Sequence, residues 1–143
     1  MSDLVVLATI AGRQVAVAAA EVQAVVDLEA IVPVPGAPRH VAGITALRSR
    51  PLTVIDMQTV VASGSCVRDE CRALVVEHQG HGYALIVDEV ADVVPLTGEP
   101  KPVPGKLSST WQTLASALVE THSGPALLID FRTILGANHE QAA

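Results

Sequence analysis

Residues 15–26, VAVAAAEVQAVV, lie over residues 83–94, YALIVDEVADVV, with five identities in twelve positions and no gap, among them Glu21/Glu89, Val22/Val90 and Val26/Val94. The tetrapeptide PVPG follows each block, at Pro33–Gly36 and again at Pro102–Gly105. A third pair, VIDMQTVV (Val54–Val61) and LIDFRTIL (Leu128–Leu135), shares an apolar pair, an Asp, one apolar residue, a polar residue, Thr and two more apolar residues. The offsets grow slowly, from 68 to 69 to 74. One match could arise by chance in an Ala- and Val-rich chain. Three in the same order mark two copies of a unit of roughly 70 residues.

Each copy reads as a series of short strands. In the first, LVVLATI and QVAVA flank a turn at Gly12, a hairpin pattern. In EVQAVVDLEAIV the start suits a helical turn and the Val-rich remainder a strand. PVPG excludes helix, because each Pro lacks a donor and fixes φ, while Gly permits reversal. GITALRSRPLTVID divides into two strands near Ser49-Arg50. Asp56 then stands where a short helix can begin, and its carboxylate can accept from the first free N–H groups. The second copy repeats the order. CRALVVEH and YALIV flank QGHG, EVADVVPL is a strand, and ASALVETHSGPALLID is a hairpin about Ser123-Gly124. Asp130 repeats the cap, with Gly136 as a stop.

Short, closely spaced strands with turn signals predict small barrels. The expected fold class is mainly β, with two small barrel lobes packed together and a few short helices. The lobes are expected at about 4–62 and 72–136 of one 143-residue unit, joined through ASGSCVRDEC. Units this small cannot bury their apolar faces alone, so the lobes should share a core. Half of the residues are hydrophobic but Tyr83, Trp111 and Phe131 are the only aromatics, which leaves the core to Val, Leu, Ile and Ala.

Several functions are disfavoured at once. A net charge of −6 without a basic stripe argues against nucleic acid. The apolar N-terminal stretch is interrupted by Arg13, Gln14 and Glu21 and lacks a basic leader, so it reads as neither signal peptide nor membrane span. The expectation is a cytoplasmic protein. Arg39, Arg48 and Arg50 lie within twelve residues and read either as a solvated surface or as a small patch facing an anion or carboxylate.

Candidate chemistry is sparse. Asp56, Asp88 and Asp130 could pair as acid and base, but capping accounts for Asp56 and Asp130 at equivalent repeat positions. Cys66, Cys71, His78 and His81 supply four possible zinc donors, with a closer spacing between the pairs than common zinc modules have. They define an alternative, a small metal-dependent enzyme. No G-x-S-x-G, P-loop or G-x-G-x-x-G occurs. The principal reading is therefore a non-enzymatic binding module with no cofactor or metal, whose contact surfaces are edge strands and the groove between lobes.

The stretch VPVPGAPRHVAGITALRSRPLTVIDM resembles the central signature of CheW-like domains through Pro35, Gly36, Pro38, Gly43, Leu47, Arg48, Val54, Ile55, Asp56 and Met57. LIVDEVADVV resembles the second signature of that family, and LLIDFRTILG its closing one. The resemblance spans about Leu4 to Gly136 and implies two SH3-like barrel lobes. It also implies an adaptor of bacterial chemotaxis-type signalling, bridging the cytoplasmic tip helices of chemoreceptors and the regulatory domain of the histidine kinase CheA. By the same resemblance Val22, Gly43 and Arg48 fall on the partner-binding surface, near a groove between lobes, and the protein joins membrane-proximal arrays through its partners. Ala46, Ser49 and Thr53 replace the Asn, Gly and Pro of the signature. These replacements suit a second alternative, a scaffold that binds receptors without activating the kinase.

Overall fold

The computed structural model describes residues 4–28, 30–61, 71–132 and 135, without the side chain of Ser109. Ten strands follow in order: β1 (Leu4–Ile10), β2 (Arg13–Ala18), β3 (Val22–Leu28), β4 (Val41–Leu47), β5 (Arg50–Asp56), β6 (Cys71–His78), β7 (His81–Val87), β8 (Glu89–Pro95), β9 (Ala115–Thr121) and β10 (Gly124–Ile129). A 3-10 turn at Ala19–Glu21 precedes β3. Helix α1 (Met57–Val61) follows β5, and α2 (Ser109–Leu114) precedes β9. The expected hairpins, the helical turn before β3 and the mainly β class are all present.

The strands form two five-stranded sheets, ordered β8-β1-β2-β10-β9 and β3-β6-β7-β5-β4. Adding five to each strand number, and counting round from ten to one, converts one order into the other. The duplication seen in the sequence is thus a pseudo-twofold relation in space. It extends to detail. Val32 bridges Ile44 in one copy, and Lys101 bridges Leu118 in the other. The Asp56 N–H donates to the His40 carbonyl, and the Asp130 N–H to the Leu114 carbonyl, each at 2.8 Å. Each bridge ties the chain beyond one edge strand to the opposite edge strand, as the expected small barrels require.

The sheets do not divide the chain as the expected lobes of about 4–62 and 72–136 do. The β1–β2 hairpin joins β8, β9 and β10, while β6–β7 joins β3, β4 and β5. The two units exchange their hairpins. The physical reason lies in the inner strands, which are apolar on both faces. Along β7, Tyr83, Leu85 and Val87 enter a cluster shared between the sheets, whereas Ala84 and Ile86 enter a second cluster inside one sheet. Along β1, Val6, Ala8 and Ile10 enter the shared cluster, and Val5 and Leu7 a third. Successive side chains alternate faces, so a strand buried on both sides is a continuous apolar run. The expected shared core is this central cluster, and it includes Trp111, Leu114 and Phe131 as well.

The caps are as expected. The Asp56 carboxylate accepts from the N–H groups of Gln58 (3.1 Å) and Thr59 (3.3 Å) at the start of α1. Asp130 accepts from the Arg132 N–H at 3.1 Å. Gly136 and Cys66 lie outside the described residues, as does 62–70 of the connection. The two PVPG segments occupy equivalent places but turn differently. The first is a reversal with Pro35 and Gly36 at its centre, Gly36 at φ +79°, closed by the Ala37 N–H to the Val34 carbonyl. In the second, the Leu107 N–H donates to Pro104, one residue further on. Helix α2 has no counterpart among the expected elements. Its signal was present: the Ser108 hydroxyl accepts from the Trp111 N–H, and Trp111 and Leu114, three apart, are buried.

Candidate partner-binding surface

The β4–β5 hairpin carries most of the residues that bear on function. Its loop has two residues, Arg48 and Ser49, because Leu47 pairs with Arg50. Both adopt positive φ, +50° and +69°. Such a turn matches the right-handed twist of its strands. The β1–β2 and β6–β7 turns, Ala11-Gly12 and Gln79-Gly80, have the same pair of positive φ angles and place glycine second, where Ser49 stands here. The turn projects the exposed Arg48 side chain at one end of the sheet. Among the described residues Arg50 pairs with Glu77 (3.2 Å), whereas Arg48 makes no salt bridge.

Gly43 has a structural reason to be glycine. It lies in β4 beside a register shift, at φ +153°, and a Cβ there would collide with the Val32 carbonyl. Its hydrogen-only face lets Val32 cross β4 and exchange two hydrogen bonds with Ile44, of 2.8 and 2.9 Å. Beside the crossing lies an open groove of about 590 Å³ lined by Ala30, Val32, Ile44, Thr45, Ala46, Ser49 and Pro51. Val32 is 65% exposed and Ile44 43%, a local apolar surface bordered by the Arg48 turn. The Thr45 hydroxyl donates to the Ala30 carbonyl at 2.7 Å and fixes the near wall.

Two of the three expected contact residues share one hairpin: Gly43 lies in β4 and Arg48 in its turn, each next in the chain to a residue that lines the groove, Ile44 and Ser49. Val22 stands elsewhere. It opens β3, at the other end of the sheet order, and its half-buried side chain packs on the rim of the core shared by both sheets. The sequence missed the groove itself, because Ala30 and Val32 reach β4 only through a bridge fifteen or fewer residues long that no periodicity announces.

Of the four possible zinc donors Cys66 lies outside the described residues, and the other three are not brought together. Cys71 begins β6 and is buried, whereas His78 ends it. Seven residues of strand set them roughly 23 Å apart. His78 and His81 face each other across the hairpin, and His81 Nε2 lies 2.8 Å from the Thr53 hydroxyl. Among the described residues no group of three metal-binding side chains occurs. The Asp130 carboxyl is held below its ordinary range by the Arg132 side chain, which hydrogen-bonds it. Asp56 is buried and committed to its helix. These carboxylates act as caps. Among the described residues no helix is long and apolar enough to cross a membrane.

Two swapped five-stranded sheets over a common core, with exposed apolar strand edges, define a small duplicated β scaffold. The family model for the CheW-like domain matches residues 4–139, and the chain belongs to that family. Among solved structures it is similar to the scaffolding protein TtCheW from Thermoanaerobacter tengcongensis. That match has a TM-score of 0.78 at 23% identity and covers 91% of this chain and 90% of the other. No curated protein matches the sequence.

Proposed function

We propose that this protein is a non-enzymatic adaptor of bacterial chemotaxis-type signalling that couples chemoreceptors to the histidine kinase CheA. The observation that carries the reading is the CheW-like match over residues 4–139, on a fold shared with a scaffolding protein. The physical surfaces suit it. An apolar groove beside an exposed arginine can take one face of a receptor tip helix and a carboxylate at its margin. Val22, Gly43 and Arg48 are the proposed receptor-facing positions, Gly43 acting through the Val32 crossing that it permits. The regulatory domain of CheA would meet the exposed barrel ends, and the protein would work in the cytoplasm within receptor arrays. The metal-dependent alternative loses its donor set, since Cys71 and His78 stand at opposite ends of β6.

Titration of a receptor tip fragment into the full-length protein tests the reading. Arg48→Glu should weaken capture about tenfold, equivalent to ~1.4 kcal/mol, with an unchanged circular dichroism spectrum. Undiminished capture by a folded variant would remove Arg48 from the surface. A second reading, receptor binding without kinase activation, draws on Ala46, Ser49 and Thr53, all on the β4–β5 hairpin, two of them lining the groove. Autophosphorylation of CheA with receptor and protein together separates the two: stimulation supports coupling, and capture without stimulation supports the second reading.

A further inference from the structure

One half-buried titratable group, with one ring nitrogen enclosed, has no place in the surface just described. His40 ends the loop that carries PVPG and leads into β4. Its carbonyl accepts from the Asp56 N–H, but its ring Nε2 is enclosed and has no hydrogen-bond partner among the described residues. The pseudo-twofold relation shows what kind of position this is. The residue whose carbonyl accepts from Asp130 is Leu114, which is 1% exposed in the shared core. An imidazole therefore occupies a site that the other copy fills with a hydrocarbon.

Enclosing an unpaired ring nitrogen is tolerable while the ring is neutral and costly once it is charged. Among the described residues no charged group is seen to offset this. Neither β4 nor α1 contains a titratable residue. Asp56, at the end of β5, directs its carboxylate to the N–H groups of Gln58 and Thr59. Arg39, next in the chain, is exposed and of like sign to a protonated imidazole. Burial alone lowers the pKa of His40 below 6.5.

We infer that His40 is a pH-sensitive latch: protonating its ring requires the 30–40 loop to lift from β4, which loosens the Val32–Ile44 bridge and remodels the apolar groove. The sign follows from linkage. In the closed form the neutral ring is favoured, while in an open form the ring takes its proton near the ordinary value. Closure is at full strength above about pH 6.5 and weakens as pH falls from there through the lowered value. The second bridge, Lys101–Leu118, has leucine at the equivalent position and should not respond. The latch does not depend on what the groove binds.

Amide hydrogen exchange read by NMR on the full-length protein from pH 8 to 5 tests this, with protection factors corrected for intrinsic rates. The Val32 and Ile44 amides should lose protection by up to about tenfold per pH unit between the two pKa values, while Lys101 and Leu118 keep theirs. The His40 ring should titrate with a midpoint below 6.5. His40→Leu, and His40→Gln as a polar variant that does not titrate, should each make Val32 and Ile44 protection independent of pH. Parallel loss at both bridges, a His40 midpoint at or above 6.5, or persistence of the loss in either folded variant would overturn the latch. If neither variant folds, the comparison of the two bridges within the native chain decides the matter.

Discussion

Ser49 and Gly43 show how much a single backbone angle decides. Ser49 sits at φ +69°, a position that glycine fills in the two other turns of the same type, at Gly12 and Gly80. A side chain in this conformation is strained by about 1–2 kcal/mol, and glycine recovers part of that at the cost of unfolded-state entropy. Ser49→Gly should raise stability by about 0.5–1 kcal/mol, read as a higher urea midpoint with unchanged slope. Gly43 is the converse. Any Cβ meets the Val32 backbone, so Gly43→Ala should destabilise by about 2 kcal/mol or more, and the Val32 and Ile44 amides should lose exchange protection first. Both positions were visible in the sequence, one as a departure from a signature and one as a match to it. The reason for the glycine was not, because the colliding atom belongs to a residue eleven positions earlier that is brought in only by folding.

At the level of elements, local chemistry and tertiary demand agree along most of the chain. Gly12 and the Gly-containing QGHG turn specify their hairpins locally. Asp56 specifies the start of α1, and Asp56→Ala should cost about 1 kcal/mol, measured by thermal or urea unfolding. The edge strand β3 alternates between exposed and covered positions, as half-buried strands do, while β8 breaks the alternation at Ala91–Val93 beside a register shift; Val25 and Val93 lie outward at equivalent repeat positions. The inner strands are the instructive case. CRALVVEH and YALIV give no alternation because both faces are covered, and a sequence reader cannot tell which face meets the other sheet. Helix α2 is short, so its sequence signal was confined to the Ser108 cap and the single three-residue spacing of Trp111 and Leu114.

For the whole molecule, the hairpin exchange makes the two halves mutually dependent. Neither half contains the strands of a complete sheet, and the central cluster takes residues from both. A chain ending after α1 should therefore fail to fold alone, whereas the intact protein should unfold in one cooperative transition. Leu85→Ala, at a 1% exposed position in the shared cluster, should lower stability by about 2–5 kcal/mol and shift both bridges together in hydrogen exchange. Two separable transitions would show instead that the sheets hold independently.

The duplication, the strand order, the turns and the caps were written in local residue types and their spacing, because backbone angles and hydrogen-bonding groups act within a few positions. Which hairpin pairs with which partner, where Val32 crosses β4, and why a histidine stands where a leucine stands in the other copy were decided only when apolar faces from both halves met. Pairing across such distances is selected by the total surface buried, a property of the assembled sheets and of no single segment.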